Sequence, residues 1–247
     1  MHLPDPTFPP LLSGHAVKAP ERAFESACAA AGFGDAGAGD VFWARDTAQM
    51  DWAIVLEPEV SAAQAQQMLI LGQAAFADAF GAVAPPEVGV HFRWPGTVLI
   101  NGAKAGIARI CMGSDLEDGC PAWMVIGLSI NIRRKGGTDE PGDVPDETDL
   151  MEEGCGDVDR TQLVESLSRH FMNRVHEWHE DGFRPAHETW TSKAENAGEE
   201  VELNWSGEKR AGTLLTIDDE GNLILKNDTQ TIALALDEYV EHPEARQ

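Results

Sequence analysis

Apolar residues recur every second position in some stretches of this chain and every third or fourth in others, and the switches divide it into elements. Residues 1–13 carry neither period; prolines at 4, 6, 9 and 10 describe an extended arm. Residues 20–31 read as a short helix ended by Gly32, followed by a glycine-rich loop over 34–40. Residues 41–44 and 52–56 are strand-like, the second run stopped by Glu57-Pro58-Glu59. Ser61 then caps a helix reaching to Phe80, with Met68, Leu69, Leu71, Ala75 and Phe76 among the residues of one apolar face.

Beyond Pro85-Pro86, residues 88–94 lead into a hairpin. Val98-Leu99-Ile100 suits a pleated surface, and Asn101-Gly102 is a strong two-residue turn signal because both positions accept positive φ. Lys104 comes after the turn, then Ala105-Gly106, then Ile107 to Ile110. A glycine inside a strand marks close approach of another backbone or of a ligand. The hairpin is therefore expected either to present Lys104 beside a ligand surface or to carry a solvated lysine at a plain turn. Residues 123–132 form the longest β run, apolar on both parities at its start and so expected as a central strand. Residues 136–159 hold ten acidic side chains and no Lys or Arg, which describes a solvated, mobile loop. Asp159 caps a helix over 160–181 ended by Gly182. Four short alternating strands complete the chain: 201–205, 211–217, 223–225 and 231–236.

At 247 residues and 43% hydrophobic, the chain can bury one large domain, or one domain and a small one. The net charge of −24 argues against nucleic-acid and anionic membrane partners. The absence of a long apolar run argues against a transmembrane helix, and the N-terminus lacks the pattern of a secretory signal. Cys28, Cys111, Cys120 and Cys155 contain no C-x-x-C pair, so reduced thiols and a cytoplasmic location are expected. His176 and His179 lie three apart in H-E-W-H, not the H-E-x-x-H spacing; a helix with a wet face is expected there, and no metal site is assigned.

Three stretches in order carry a family resemblance. Arg93-Trp94-Pro95 followed by V-L-I-N-G-A-K-A-G-I resembles K-W-P-N-D, a strand and a G-K-K-x-x-G-I hairpin. V-I-G-L-S-I-N over 125–131 resembles V-I-G-I-G-I-N-V. Thr148-Asp149-Leu150, Asp159-Arg160, Trp178, Gly182-Phe183 and Trp190 are similar to the T-S-L, D-R and W-x-x-x-x-G-F order. Together these resemble the biotin protein ligase and lipoate ligase superfamily. The resemblance implies an α+β fold, a mixed β-sheet with helices packed on it of the class II synthetase type, over residues 1–190. A small C-terminal SH3-like β-barrel would occupy 191–247.

The resemblance also implies a reaction. A biotin- or lipoate-like acid and ATP with magnesium would lie on the sheet, the carboxylate would attack the α-phosphate, and a lysine of a biotinyl or lipoyl acceptor domain would take the acyl group. Lys104 is carried over as the catalytic cation, since an ammonium stabilises charge developing on phosphate oxygens. Arg93, Trp94, Gly102, Ala105, Gly106, Ile107, Gly127 and Asn131 are carried over as cofactor-binding positions. A homodimer is a further expectation, and without an N-terminal helix-turn-helix pattern no repressor role is expected. Three departures stand against the family pattern. Gly34 to Asp40 offers Asp35 and Asp40 where a G-R-G-R loop would bring cations; Gly96-Thr97 replaces the N-D pair; and Lys104 stands one residue too near Gly106. ATP-dependent ligation and binding of a small acid without reaction both stay open. A third alternative is acyl transfer without ATP using Cys111 or Cys120, with Arg109 and Lys104 lowering the thiol pKa.

Overall fold

The computed structural model describes residues 3–114, 119–134 and 146–243. Seven strands form one mixed sheet: β1 (Ser13–Val17), β2 (Asp40–Ala44), β3 (Gln49–Leu56), β4 (Val90–Arg93), β5 (Thr97–Ile100), β6 (Ala103–Met112) and β7 (Met124–Asn131). Their order is β1-β2-β3-β7-β6-β5-β4, with β1 parallel to β2 and every other neighbour antiparallel. The long run at 123–132 is the middle strand, as its two-sided apolar character requires. The apolar pattern alone does not mark β1. Ser-Gly-His-Ala-Val is exposed at four of five positions on the sheet edge, so it carries no alternation to find.

One face of the sheet packs Met50, Trp52, Ile54, Ile110, Ile126, Leu128 and Ile130 under helices α3 (Gln67–Gly81) and α4 (Arg160–Asp181). The residues expected to form one helix from Ser61 break at Gln66 into a single turn, α2 (Ala62–Ala65), and α3. α3 is buried nearly all round rather than on one face, because the sheet, α4, α5 (Arg184–Ser192) and the C-terminal strands surround it. Its polar side chains are accordingly partnered: Gln73 accepts from Trp190 Nε1 at 2.8 Å, and Gln67 accepts from Trp178 Nε1 at 2.6 Å. Asp159 caps α4 in a reciprocal capping box with Gln162.

The opposite face is covered by α1 (Ala23–Phe33), which sets Phe24, Ala27 and Ala31 on Ala53, Val55, Cys111 and Val125. α1 starts above Asp51 and runs toward the Leu56 end of β3, so half of this face stays open. Residues 136–145 of the acidic segment lie outside the described residues. The rest of that segment is packed: Glu147 bridges Lys104 in parallel, and Thr148, Asp149, Leu150, Cys155 and Val158 are buried. Asp149 accepts from the backbone N–H groups of Arg134 and Glu152, each at 2.9 Å.

The C-terminal strands β8 (Glu200–Trp205), β9 (Glu208–Ile217), β10 (Leu223–Lys226) and β11 (Thr231–Leu234) form a second, antiparallel four-stranded sheet. Its thin core merges with the first: Leu214, Ile217, Leu223 and Leu225 belong to the main apolar cluster. Trp94 packs on Trp205, with ring centroids 4.4 Å apart, and donates to Gly221 O.

Candidate functional site

Asn101 and Gly102 form the expected turn, with φ of 50° and 91°. The path of β6 beyond this turn decides where Lys104 goes. Along β6, Ala108 and Ile110 face the α3–α4 layer, while Arg109 and Cys111 face α1. Unbroken alternation would send Lys104 to the α3–α4 side. Instead Val98 pairs with Gly106 and Leu99 with Lys104, so Ala105 is an extra, bulged residue. Ala105 turns into the main core, fully buried, and Lys104 emerges on the α1 face. The bulge therefore places Lys104 on the face opposite to the one that a regular strand through Gly106 would give it. Gly106 is required where it stands: a Cβ there would lie 2.3 Å from Ser129 O, so the close approach is to backbone.

Lys104 lines an open cavity of about 390 Å³ with Arg22, Gln49, Ile107, Ser129 and Asn131. Its ammonium stands 4.0 Å from Glu147 Oε1, and both side chains are about half exposed, so this pair holds it weakly. Arg22 is set by stronger means. It precedes α1 in extended conformation, and its Nε lies 3.1 Å from Asp51 Oδ2. Asp51 is 2% exposed, and it also accepts from Ala23 N at 3.0 Å and Ser129 Oγ at 2.7 Å. A buried carboxylate therefore ties the start of α1 to the floor of the cavity. A second cavity of about 710 Å³ adjoins the first, shares Arg22 and Gln49, and is lined further by Lys18, Arg45 and Asp46. Arg45 there is held by both oxygens of Asp5 in the N-terminal arm, at 3.0 and 2.6 Å.

At the boundary with α1, the Arg109 guanidinium lies over the Phe24 ring and bonds Glu25 and, with two nitrogens, Glu241. Burial alone would lower the Arg109 pKa, but these carboxylates raise it, so the group is charged throughout. Burial likewise works against the Glu25 carboxylate, yet the Arg109 contact brings its pKa below the usual value.

Of the expected ligand residues, Lys104, Gly106, Ile107 and Asn131 come together at one cavity. The others lie elsewhere. Arg93 is held by Glu195, and together with Trp94 it lines the cleft against the C-terminal sheet. Gly102 is at the turn tip, and Ala105 faces the core. Gly127 lies beneath α1, where a Cβ would meet Phe24 Cδ2 at 2.4 Å; its small size serves helix packing. The loop at 34–40, expected as the counterpart of a cationic loop, sits at the far end of the sheet. Gly39 N bonds Val55 O there, roughly 20 Å along β3 from Gln49 at about 3.3 Å per residue. Asp35 and Asp40 therefore lie away from the Lys104 cavity. The thiols do not reach the cavity either. Cys111 is 4% exposed under α1, where a hydrogen bond from Cys28 lowers its pKa, and Cys120 lies beyond β6 in the connection to β7. His179 is exposed beside Glu180, and among the described residues no group of three or more His, Cys, Asp or Glu could hold a metal ion. Sequence reasoning missed Arg22, Gln49, Asp51 and Ser129. Asp51 at the mouth of an apolar strand was the available signal, a charge in a run that buries both faces.

A mixed sheet with helices on both faces and a terminal four-stranded sheet is an arrangement shared with solved biotin protein ligases. Apo biotin protein ligase from Aquifex aeolicus superposes with a TM-score of 0.75 at 16% identity, over 91% of this chain and 96% of that one. A biotin protein ligase-like protein of unknown function from Silicibacter sp. TM1040 is more similar, at 37% identity and TM-score 0.85, covering 95% and 98% of the two chains. The profile of the Biotin/lipoate A/B protein ligase family matches residues 8–192, and the chain belongs to that family. Among characterised relatives, a biotin--[acetyl-CoA-carboxylase] ligase of Paracoccus denitrificans is 28% identical over 189 residues, 74% of this chain and 76% of that protein. The bifunctional ligase/repressor BirA of Bacillus subtilis is 26% identical over 181 residues, and the match spans about half of its length, 53%.

Proposed function

We propose that this protein binds a small carboxylic acid on the open half of the α1 face, with Lys104 as the partner of the carboxylate. The observation that carries this is the bulge at Ala105, which turns the one weakly held ammonium of β6 into a cavity between Arg22 and Asn131. A lysine bound, among the described residues, only by an exposed carboxylate 4.0 Å away is open to a better acceptor. Ile107 and the backbone around Gly106 supply the wall, and Ser129 and Asn131 supply polar contacts.

ATP-dependent attachment of the acid to a protein lysine is the second reading. It is favoured by the larger cavity that adjoins the first through Arg22 and Gln49, giving room for a second reactant, and by the biotin ligase of Paracoccus denitrificans. The acid would attack the α-phosphate and release pyrophosphate; an acceptor lysine would then displace AMP. Lys104 would face both reacting groups. Magnesium would travel on the phosphates, with Asp46 and Glu147 as carboxylates lining the two cavities. In this reading residues 1–190 act as the catalytic unit, and the four-stranded sheet of 191–247 is a small SH3-like module beside it. A homodimer and an acceptor domain are the partners it requires. Among the described residues no helix is long and apolar enough to cross a membrane, and a cytoplasmic location is part of the same proposal.

Calorimetric titration with biotin, lipoate and octanoate, each with and without ATP, tests both readings. Binding of an acid that is lost in Lys104→Ala supports the site. Pyrophosphate release on adding ATP supports the ligase, and acid binding with no pyrophosphate restricts the protein to binding.

A further inference from the structure

We infer that the acid taken by this site is a dianion, a short α,ω-dicarboxylic acid held between Lys104 and Arg22. This rests on the acid-binding reading above and names the class of acid. The floor of the cavity is polar along its length. Gln49, Ser129 and Asn131 project from neighbouring strands β3 and β7, and among the described residues Ile107 is the one large apolar side chain beside them. A hydrocarbon tail or an apolar ring laid there would strip water from these groups without replacing their hydrogen bonds. A diacid lays a chain over the same floor, but its second carboxylate gives the far end a charged partner that a monoacid of equal length lacks.

The two ends of the cavity carry matching donors. At one end the Lys104 ammonium has, among the described residues, only Glu147, at 4.0 Å. At the other, Arg22 is fixed by its Nε to buried Asp51, while Nη2 reaches Ser129 Oγ at a long 3.4 Å. The charge of Asp51 is shared with Ala23 N and the Ser129 hydroxyl, so it does not use up the guanidinium. The outer edge of Arg22 keeps the two-nitrogen fork that a carboxylate fits. Arg22 sits above Asp51, and Asp51, Ser129 and Ile107 are register partners across β3, β7 and β6, two interstrand spacings of about 4.8 Å each. Lys104 lies three residues further along β6. Two long side chains closing over that separation suit diacids from glutarate to suberate.

The test is titration calorimetry of wild-type protein, with ATP absent and then present, against glutarate, adipate, pimelate and suberate, and against octanoate, lipoate and biotin. At least one diacid is expected to bind about tenfold or more tightly than octanoate of similar length. Arg22→Gln should bring diacid affinity down to no more than that for octanoate measured on the same variant, while Arg22→Lys should keep part of the preference. The wild-type selectivity needs no variant, so misfolding of Arg22→Gln cannot rescue the idea. Equal affinity for diacids and octanoate, or tighter binding of biotin or lipoate, overturns the dianion and leaves the acid site standing. No binding of any acid under either condition overturns both.

Discussion

Asp51 is the residue whose removal should do most damage per atom. It is 2% exposed and serves three partners: Ala23 N at the start of α1, the Ser129 hydroxyl, and Arg22. In Asp51→Ala the helix N–H and the Ser129 hydroxyl lose their acceptor and Arg22 loses its counter-charge. Breaking a buried ionic network in this way costs about 3–5 kcal/mol. Asp51→Asn keeps the volume. Its amide oxygen can still take Ala23 N, and its NH₂ can donate to Ser129 Oγ if that hydroxyl turns, so what is lost is the charge. Each charge-assisted bond exceeds a neutral one by about 1 kcal/mol, and Arg22 is half solvated, so the loss is about 2 kcal/mol. For a chain of this size that is a fall in Tm of roughly 4–8 °C, and roughly 10 °C or more for the alanine. Urea unfolding followed by tryptophan fluorescence gives both differences at unchanged m. An Asp51→Ala protein within about 0.5 kcal/mol of wild type would refute the view that this carboxylate anchors α1.

The same contacts lead to three further expected outcomes. Tyr239 is the sole tyrosine; burial, then the nearby Glu241 charge, pushes its pKa up to about 12, and its hydroxyl donates to Ala108 O at 2.8 Å. The neutral phenol is the form favoured by folding, so its contribution to stability is present below about pH 10 and is lost as pH rises through about 12. The tyrosinate absorbance of the native protein should titrate near the upper value and return to about 10 in denaturant; a native midpoint near 10 would show that Tyr239 is not buried. Gly127→Ala places a methyl against Phe24, which is itself held under the Arg109 guanidinium 4.1 Å from the ring centre. It should destabilise by about 1–3 kcal/mol and shift α1, measured by unfolding, and an unchanged stability would mean that α1 moves freely. Gly106→Ala meets the Ser129 carbonyl oxygen at 2.3 Å, backbone that cannot swing aside, in addition to the Ile130 side chain, so it should be the worse tolerated of the two in the same assay.

Much of the fold was legible because its signals are local. Asn101-Gly102 specifies its turn by positive φ, Asp159 and Gln162 cap α4 within one turn, and the 124–131 run declares burial on two faces. β1 and α5 were not legible: β1 is an exposed edge held by backbone pairing to β2, and α5 is a short helix fixed by Trp190 and Gln73 across the core. The Lys104 cavity was legible in part. Lys104 could be found from the hairpin, but its direction depends on a bulge that a one-residue count records only as a misfit. Motif order groups Arg93, Trp94 and Gly127 with Lys104, whereas the structure packs them against Glu195, Trp205 and Phe24. The loop at 34–40 misleads for the same reason: proximity in the chain to β2 says nothing about which end of the sheet it closes.

The claim on which the rest depends is that Lys104, turned outward by the Ala105 bulge, is the carboxylate partner of a bound acid. The direct measurement is titration of the tightest acid found in the panel into wild-type protein and into Lys104→Ala of matched thermal stability. Loss of a charge-assisted contact of about 1.5–3 kcal/mol predicts a roughly ten- to hundredfold rise in Kd. An unchanged Kd for the acid in Lys104→Ala would contradict the account.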